Sequence, residues 1–117
     1  MSKSIIESKW NEVFIQFLDE FGKIFPSSSA KSVKTKFLLS KKYMDRKPID
    51  IFLENMEEHG VAIMNEDSSY FFESGKVEFV KTLEMDKYYR ESSESNRKVI
   101  WEYIKVLYIL SKGFNEK

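Results

Sequence analysis

The chain has 117 residues, the length of one ordinary domain (1–117) with no room for a second core. An apolar share of 42%, with ten phenylalanines among it, is too high for a chain that stays disordered. Nineteen basic residues balance nineteen acidic ones, and a formal net charge of zero argues against a general polyanion binder while leaving room for a local patch.

The N-terminal stretch Ser2-Lys3-Ser4-Ile5-Ile6-Glu7 runs into Lys9 and Glu12, so no secretory leader is expected, and Ser2 removes N-myristoylation. Ile6, Trp10, Val13, Phe14, Phe17, Leu18, Phe21 and Ile24 follow the three-and-four spacing of one helical face. Ser2 or Ser4 caps this first helix, and Phe25-Pro26 ends it. After the turn Ser27-Ser28-Ser29, a second helix is predicted from about Ala30 to Tyr43, with Val33, Phe37, Leu38 and the stem of Lys41 inward.

Asp45-Arg46-Lys47-Pro48 restarts the chain, with Pro48 in the first turn of a third helix. Ile49, Phe52, Leu53 and Met56 keep helical spacing up to His59-Gly60, where Gly60 is expected in the left-handed C′ position. The stretch 61–72 is the least regular. Val61-Ala62-Ile63-Met64 reads as a short buried strand or a tucked-in loop, and Asn65 to Ser69 as a turn. Val77, Val80, Leu83 and Tyr88 outline a fourth helix, with Phe79 a further inward candidate. Glu91 to Ser95 breaks it and supplies caps for the last helix. There Ile100, Tyr103, Ile104, Leu107, Tyr108 and Leu110 form the stripe, Trp101 stands on its flank, and Gly113 is the predicted stop. The expected fold is all-α, a compact bundle of four to five helices with one short irregular or extended segment around 61–72. The longest apolar-leaning run, Val99 to Leu110, contains Glu102 and Lys105 and is too short to span a bilayer.

Chemistry-bearing residues are few. The chain has no cysteine, which removes disulfides, thiolate metal sites and cysteine nucleophiles and fits a reducing compartment. His59 is the only histidine, a thin basis for a catalytic triad or a zinc site. Its plainer reading is a side chain favoured by the dipole of a last helical turn. Seven carboxylates and no Lys or Arg lie between Asp50 and Glu73, but without the alternating ligands and central glycine of a calcium loop. Glu54, Glu57 and Glu58 read instead as a solvated helix face. No phosphate-binding loop, zinc-protease or nucleophile-elbow motif occurs, so no enzyme, cofactor, metal or catalytic residue is assigned.

Lys31, Lys34, Lys36, Lys41, Lys42, Arg46 and Lys47 form a basic segment with Asp45 as its only acid. Lys34, Lys41, Lys42, Arg46 and Lys47 are therefore candidates for phosphate contacts. No recognition-helix or stacking-aromatic motif accompanies them, and mutual neutralisation with the acidic segment 50–73 is the preferred reading. The last helix is apolar on more than one side, which marks a central or interface helix. Trp101 and Tyr108 on it, with Phe71 and Phe72 beside a polar turn, are the candidate interface residues.

Three stretches taken in order carry a resemblance. They are Phe17-Leu18-Asp19-Glu20-Phe21-Gly22-Lys23-Ile24-Phe25-Pro26, Asn65-Glu66-Asp67-Ser68-Ser69-Tyr70-Phe71-Phe72, and Val99 to Leu110 with Trp101-Glu102-Tyr103 inside it. Together they resemble short helical proteins encoded by nucleocytoplasmic large DNA viruses, the giant viruses of algae and protists, over about Trp10 to Lys112. The chain departs from that pattern where the group carries a further Trp near the end of the penultimate helix and Tyr88-Tyr89 stands here. The resemblance implies a helical domain of viral origin and no catalytic residue. The expected function is a non-enzymatic cytoplasmic protein, in the host cell or the virion, acting through a protein partner or self-association rather than a membrane. Possible settings are the virion, the replication factory or a host factor. The alternative is a nucleic-acid-binding accessory protein using the segment 31–47, and an unrecognised hydrolase stands third.

Overall fold

The computed structural model describes residues 2–40 and 47–115, with the Ser40 side chain excepted. The helices are α1 (Lys3–Ile24), α2 (Ala30–Ser40), α3 (Pro48–Met56), α4 (Gly60–Met64), α5 (Ser68–Glu73), α6 (Glu78–Thr82), α7 (Met85–Glu91) and α8 (Glu94–Asn115). One turn of 3-10 helix, Glu57–His59, joins α3 to α4 without a break. No strand occurs among the described residues, so the fold is all-α. Counting the unbroken run from Pro48 to Met64 once, the described residues hold seven helical segments, more than the four or five expected.

The two long helices form an antiparallel spine. Lys3 lies over the Phe114 ring at 5.1 Å, the Trp10 indole N–H donates to the Leu107 carbonyl at 3.2 Å, and Phe17 meets Tyr103 at 5.5 Å. Each helix has 22 residues and so runs about 33 Å. Their starts are capped as the sequence suggests: Ser2 Oγ accepts from the Ile5 N–H and Ser93 Oγ from the Asn96 N–H. Helix α2 packs on α1, α3 and α4 pack on α8, and the pairs α5–α7 and α6–α7 close the remaining side.

The predicted inward face of α1 is buried except for Ile24, which is half-buried. In α3, Ile49, Phe52, Leu53 and Met56 are all buried, with Pro48 opening the helix. In α2, Ala30 and Phe37 are buried and Val33 half-buried, whereas Leu38 is exposed. Leu38 stands about 100° around the helix from Phe37, off the stripe that Ala30, Val33 and Phe37 share. Lys41 and Tyr43, placed in this helix by the sequence pattern, lie outside the described residues.

Four expectations are corrected. Gly60 is not a left-handed cap: its φ of −56° and ψ of −43° are right-handed, and the chain runs on into α4. Its lack of a side chain serves close packing, because a Cβ there would collide with the Tyr108 hydroxyl. The stretch Val61–Met64 is accordingly helical rather than a strand or loop, and of its four residues only Ile63 is buried.

The predicted fourth helix is two, split at Glu84, whose φ of 52° is left-handed. Leu83 and Met85 are both fully buried, and residues two apart in one helix would point about 200° apart. The kink lets both reach the core. Finally, Gly113 does not stop α8, which continues to Asn115 and buries Phe114 under Lys3 and Lys47.

Candidate binding groove

Helices α1, α2, α3 and α6 do not close completely over one another. Between them lies an open apolar groove of about 350 Å³. Trp10 and Phe14 of α1 form its floor, stacked at 5.1 Å with 20° between ring planes. Phe37 of α2 meets Phe14 edge-on at 5.0 Å, Phe52 of α3 meets Trp10 at 5.4 Å, and Phe79 of α6 meets Phe52 at 5.4 Å. Edge-to-face pairs of this kind hold rings in fixed mutual positions, and the Trp10 indole is further tied to Leu107. Val33, Ile51 and Met56 complete the apolar wall.

The rim is polar and exposed: Lys36, Asn55, Glu78 and Thr82. Glu78 lies 3.9 Å from Lys81 one turn along α6, and the Thr82 hydroxyl donates to the Glu78 backbone carbonyl. Lys36 makes no ion pair among the described residues. The chemistry this arrangement offers is capture of apolar groups, with Lys36 at the edge unpaired among the described residues.

The aromatic residues expected to face a partner are placed elsewhere. Phe71, Phe72, Trp101 and Tyr108 are 1%, 3%, 3% and 6% exposed, so they belong to this chain's own core rather than its surface. Trp101 lies on the buried stripe of α8 because Ile100 and Trp101 turn inward together, followed by Ile104, Leu107, Tyr108 and Ser111. Phe71 and Phe72 meet its ring at 5.3 and 5.2 Å, and its indole N–H donates to the Tyr89 hydroxyl at 3.0 Å. That hydroxyl shares a second hydrogen bond with Ser68, and Arg97 donates to the Tyr89 carbonyl. Tyr108 is covered where α4 crosses α8 at Gly60.

Among the described residues of the basic segment, Lys34 and Lys47 are held apart, each by its own partner. Lys34 pairs with Asp19 at 2.8 Å and Lys47 with Glu7 at 3.0 Å, both on α1, and not with the acidic segment 50–73 as expected. Lys41, Lys42 and Arg46 lie outside the described residues. Of the acidic residues, Glu66 pairs with Lys105 at 2.7 Å, and Asp67 caps α5 through the Tyr70 N–H. No three His, Cys, Asp or Glu side chains among the described residues come close enough to share a metal ion.

His59 is the last residue of the 3-10 turn as expected, but α4 follows directly, so it stands at a junction and not at a free helix C-terminus. It is buried, bonded through Nδ1 to the Tyr70 hydroxyl at 2.9 Å, with Glu58 3.5 Å from Nε2. Tyr103, at the edge of the α1–α8 seam, has its phenol pushed above the ordinary 10.0 by burial first and then by the carboxylates of Glu20 and Asp19.

The sequence pattern identified Trp10, Phe14, Phe37 and Phe52 as core residues, but not that their rings frame an opening. In α2 only Ala30, Val33 and Phe37 turn inward, while Leu38 and Leu39 are exposed, so the helix covers little of the wall it packs against. Fold and site together define a small all-α domain with a rigid aromatic groove. No protein-family model, no curated protein and no solved structure matches the chain.

Proposed function

We propose that this chain is a non-enzymatic, intracellular binding protein of viral origin that works by taking apolar side chains of a protein partner into the aromatic groove. The groove is the observation that carries this reading. Its walls are fixed by ring-to-ring contacts, so an incoming side chain meets a preformed site and little ordering entropy opposes it. The viral origin rests on the three sequence stretches beginning at Phe17, Asn65 and Val99. No helix among the described residues is long and apolar enough to cross a membrane. For the nucleic-acid alternative, Lys34 and Lys47 would first have to leave Asp19 and Glu7, which lowers their value as phosphate ligands.

The test compares the parent chain with Asn55→Trp, which fills the groove from an exposed rim position. Nuclease-treated extracts of infected cells are passed over both, and each retained protein is then rebuilt from purified components. A protein that binds the parent directly and loses binding to the filled groove supports the reading. Identical retention by both chains refutes it.

A further inference from the structure

We infer that the groove's occupant is an acidic segment of the partner protein, which inserts one or two large apolar side chains and sets a carboxylate against Lys36. This inference rests on the groove being a binding site for protein, and it adds the partner's chemistry.

The volume sets the size of the guest. An apolar cavity of about 150 Å³ holds one benzene ring. A groove of about 350 Å³ therefore has room for two such groups, or one indole with an aliphatic neighbour. The groove is also open to solvent, and a free small molecule of that size is normally enclosed over most of its surface. Side chains delivered from a backbone that stays outside suit an open groove better. Asn55, exposed at the edge, has an amide able to meet that backbone.

Charge sets the guest's neighbours. Helix α2 carries Lys31, Lys34 and Lys36 and no acidic residue. Lys34 is taken by Asp19, and the groove's one acidic rim residue, Glu78, has Lys81 beside it. Among the described residues, Lys36 is left as the uncompensated charge at the mouth, with Lys31 exposed further along the same helix. A guest carrying Asp or Glu beside its apolar anchor completes this rim, whereas one carrying Lys or Arg brings like charges together. Because Lys36 is exposed, its contribution lies in selectivity and association rate more than in affinity.

The experiment selects a displayed library of short random peptides on the parent chain, with Asn55→Trp as the counter-selection. Circular dichroism first checks that Asn55→Trp and Lys36→Glu remain folded. Expected are peptides pairing Phe, Trp or Leu with Asp or Glu. Lys36→Glu should weaken them by about three- to tenfold at low salt, with the loss fading at high salt. Replacing the peptide's acids with Lys should restore binding to Lys36→Glu, completing a charge swap. Apolar peptides indifferent to Lys36→Glu would overturn the acidic partner while leaving the groove as a protein-binding site. No groove-dependent peptide at all would sink both readings. Two further arms use the chain with oleate and the chain alone. Groove-dependent binding of oleate without any peptide makes the guest a lipid, and self-association abolished by Asn55→Trp makes it a second copy. Either result also overturns the proposal.

Discussion

Trp101 offers the sharpest test of the packing. Its ring is 3% exposed, lies against Phe71 and Phe72, and bonds to Tyr89. Truncation to Ala removes these contacts and leaves a void between α5, α7 and α8, at a cost of about 3–5 kcal/mol. Losing the indole N–H adds no more than about 1 kcal/mol, because the Tyr89 hydroxyl keeps Ser68 as a partner. Domains of this kind are stable by roughly 5–15 kcal/mol, so a large fraction disappears. At about 4 °C per kcal/mol for a chain of this length, Tm should fall by about 12–20 °C. Trp101→Phe keeps most of the ring and should cost about 1–2 kcal/mol. Thermal and denaturant unfolding followed by circular dichroism measure both. A surface tryptophan would give changes within about 0.5 kcal/mol, and a Tm for Trp101→Ala within about 2 °C of the parent would refute the buried placement.

Gly60→Ala and Gly113→Ala should move stability in opposite directions. Both sit in helices, but a Cβ at Gly60 meets Tyr108, with an overpacking cost of about 1–3 kcal/mol, while at Gly113 it meets nothing and should stabilise by about 0.5–1 kcal/mol. Two stabilising results would show that Tyr108 does not lie against Gly60. For Tyr103, the folded chain holds the phenol proton more tightly than the unfolded chain. Its contribution is thus complete below about 10 and declines as pH rises through the higher native value. Tyr103→Phe should flatten that decline in denaturant titrations at alkaline pH, and parallel curves would discount the effect of burial and of Glu20 and Asp19. Lys34→Ala removes one exposed ion pair and should cost under about 1 kcal/mol, and Lys47→Ala, which also uncovers the Phe114 ring, should cost more than Lys34→Ala. A mobility shift of DNA or RNA at low salt that these two changes abolish would favour the nucleic-acid alternative over the groove.

The sequence by itself determined the helical class and most of what is local. The stripe from Ile6 to Phe21, the Ser2 cap, the Phe25-Pro26 stop, Pro48 at the start of α3 and the Asp67 turn are set by neighbours within a few residues. Such choices depend on backbone hydrogen bonding and helical period, which are readable in a linear string. What needed tertiary structure was every feature whose cause is distant in the chain. Gly60 looked like a helix stop because glycine usually is one, and only Tyr108, on another helix, explains it as a point of close approach. Glu84 bears no turn signature; its left-handed kink follows from Leu83 and Met85 both finding the core. Trp101 looked marginal on a helical wheel, and α5 and α7, folding over that side, made it central. The groove belongs to this second kind. Trp10, Phe14, Phe37, Phe52 and Phe79 come from four helices, and the space left between their rings is a property of how those helices meet, which no periodicity within any one of them encodes.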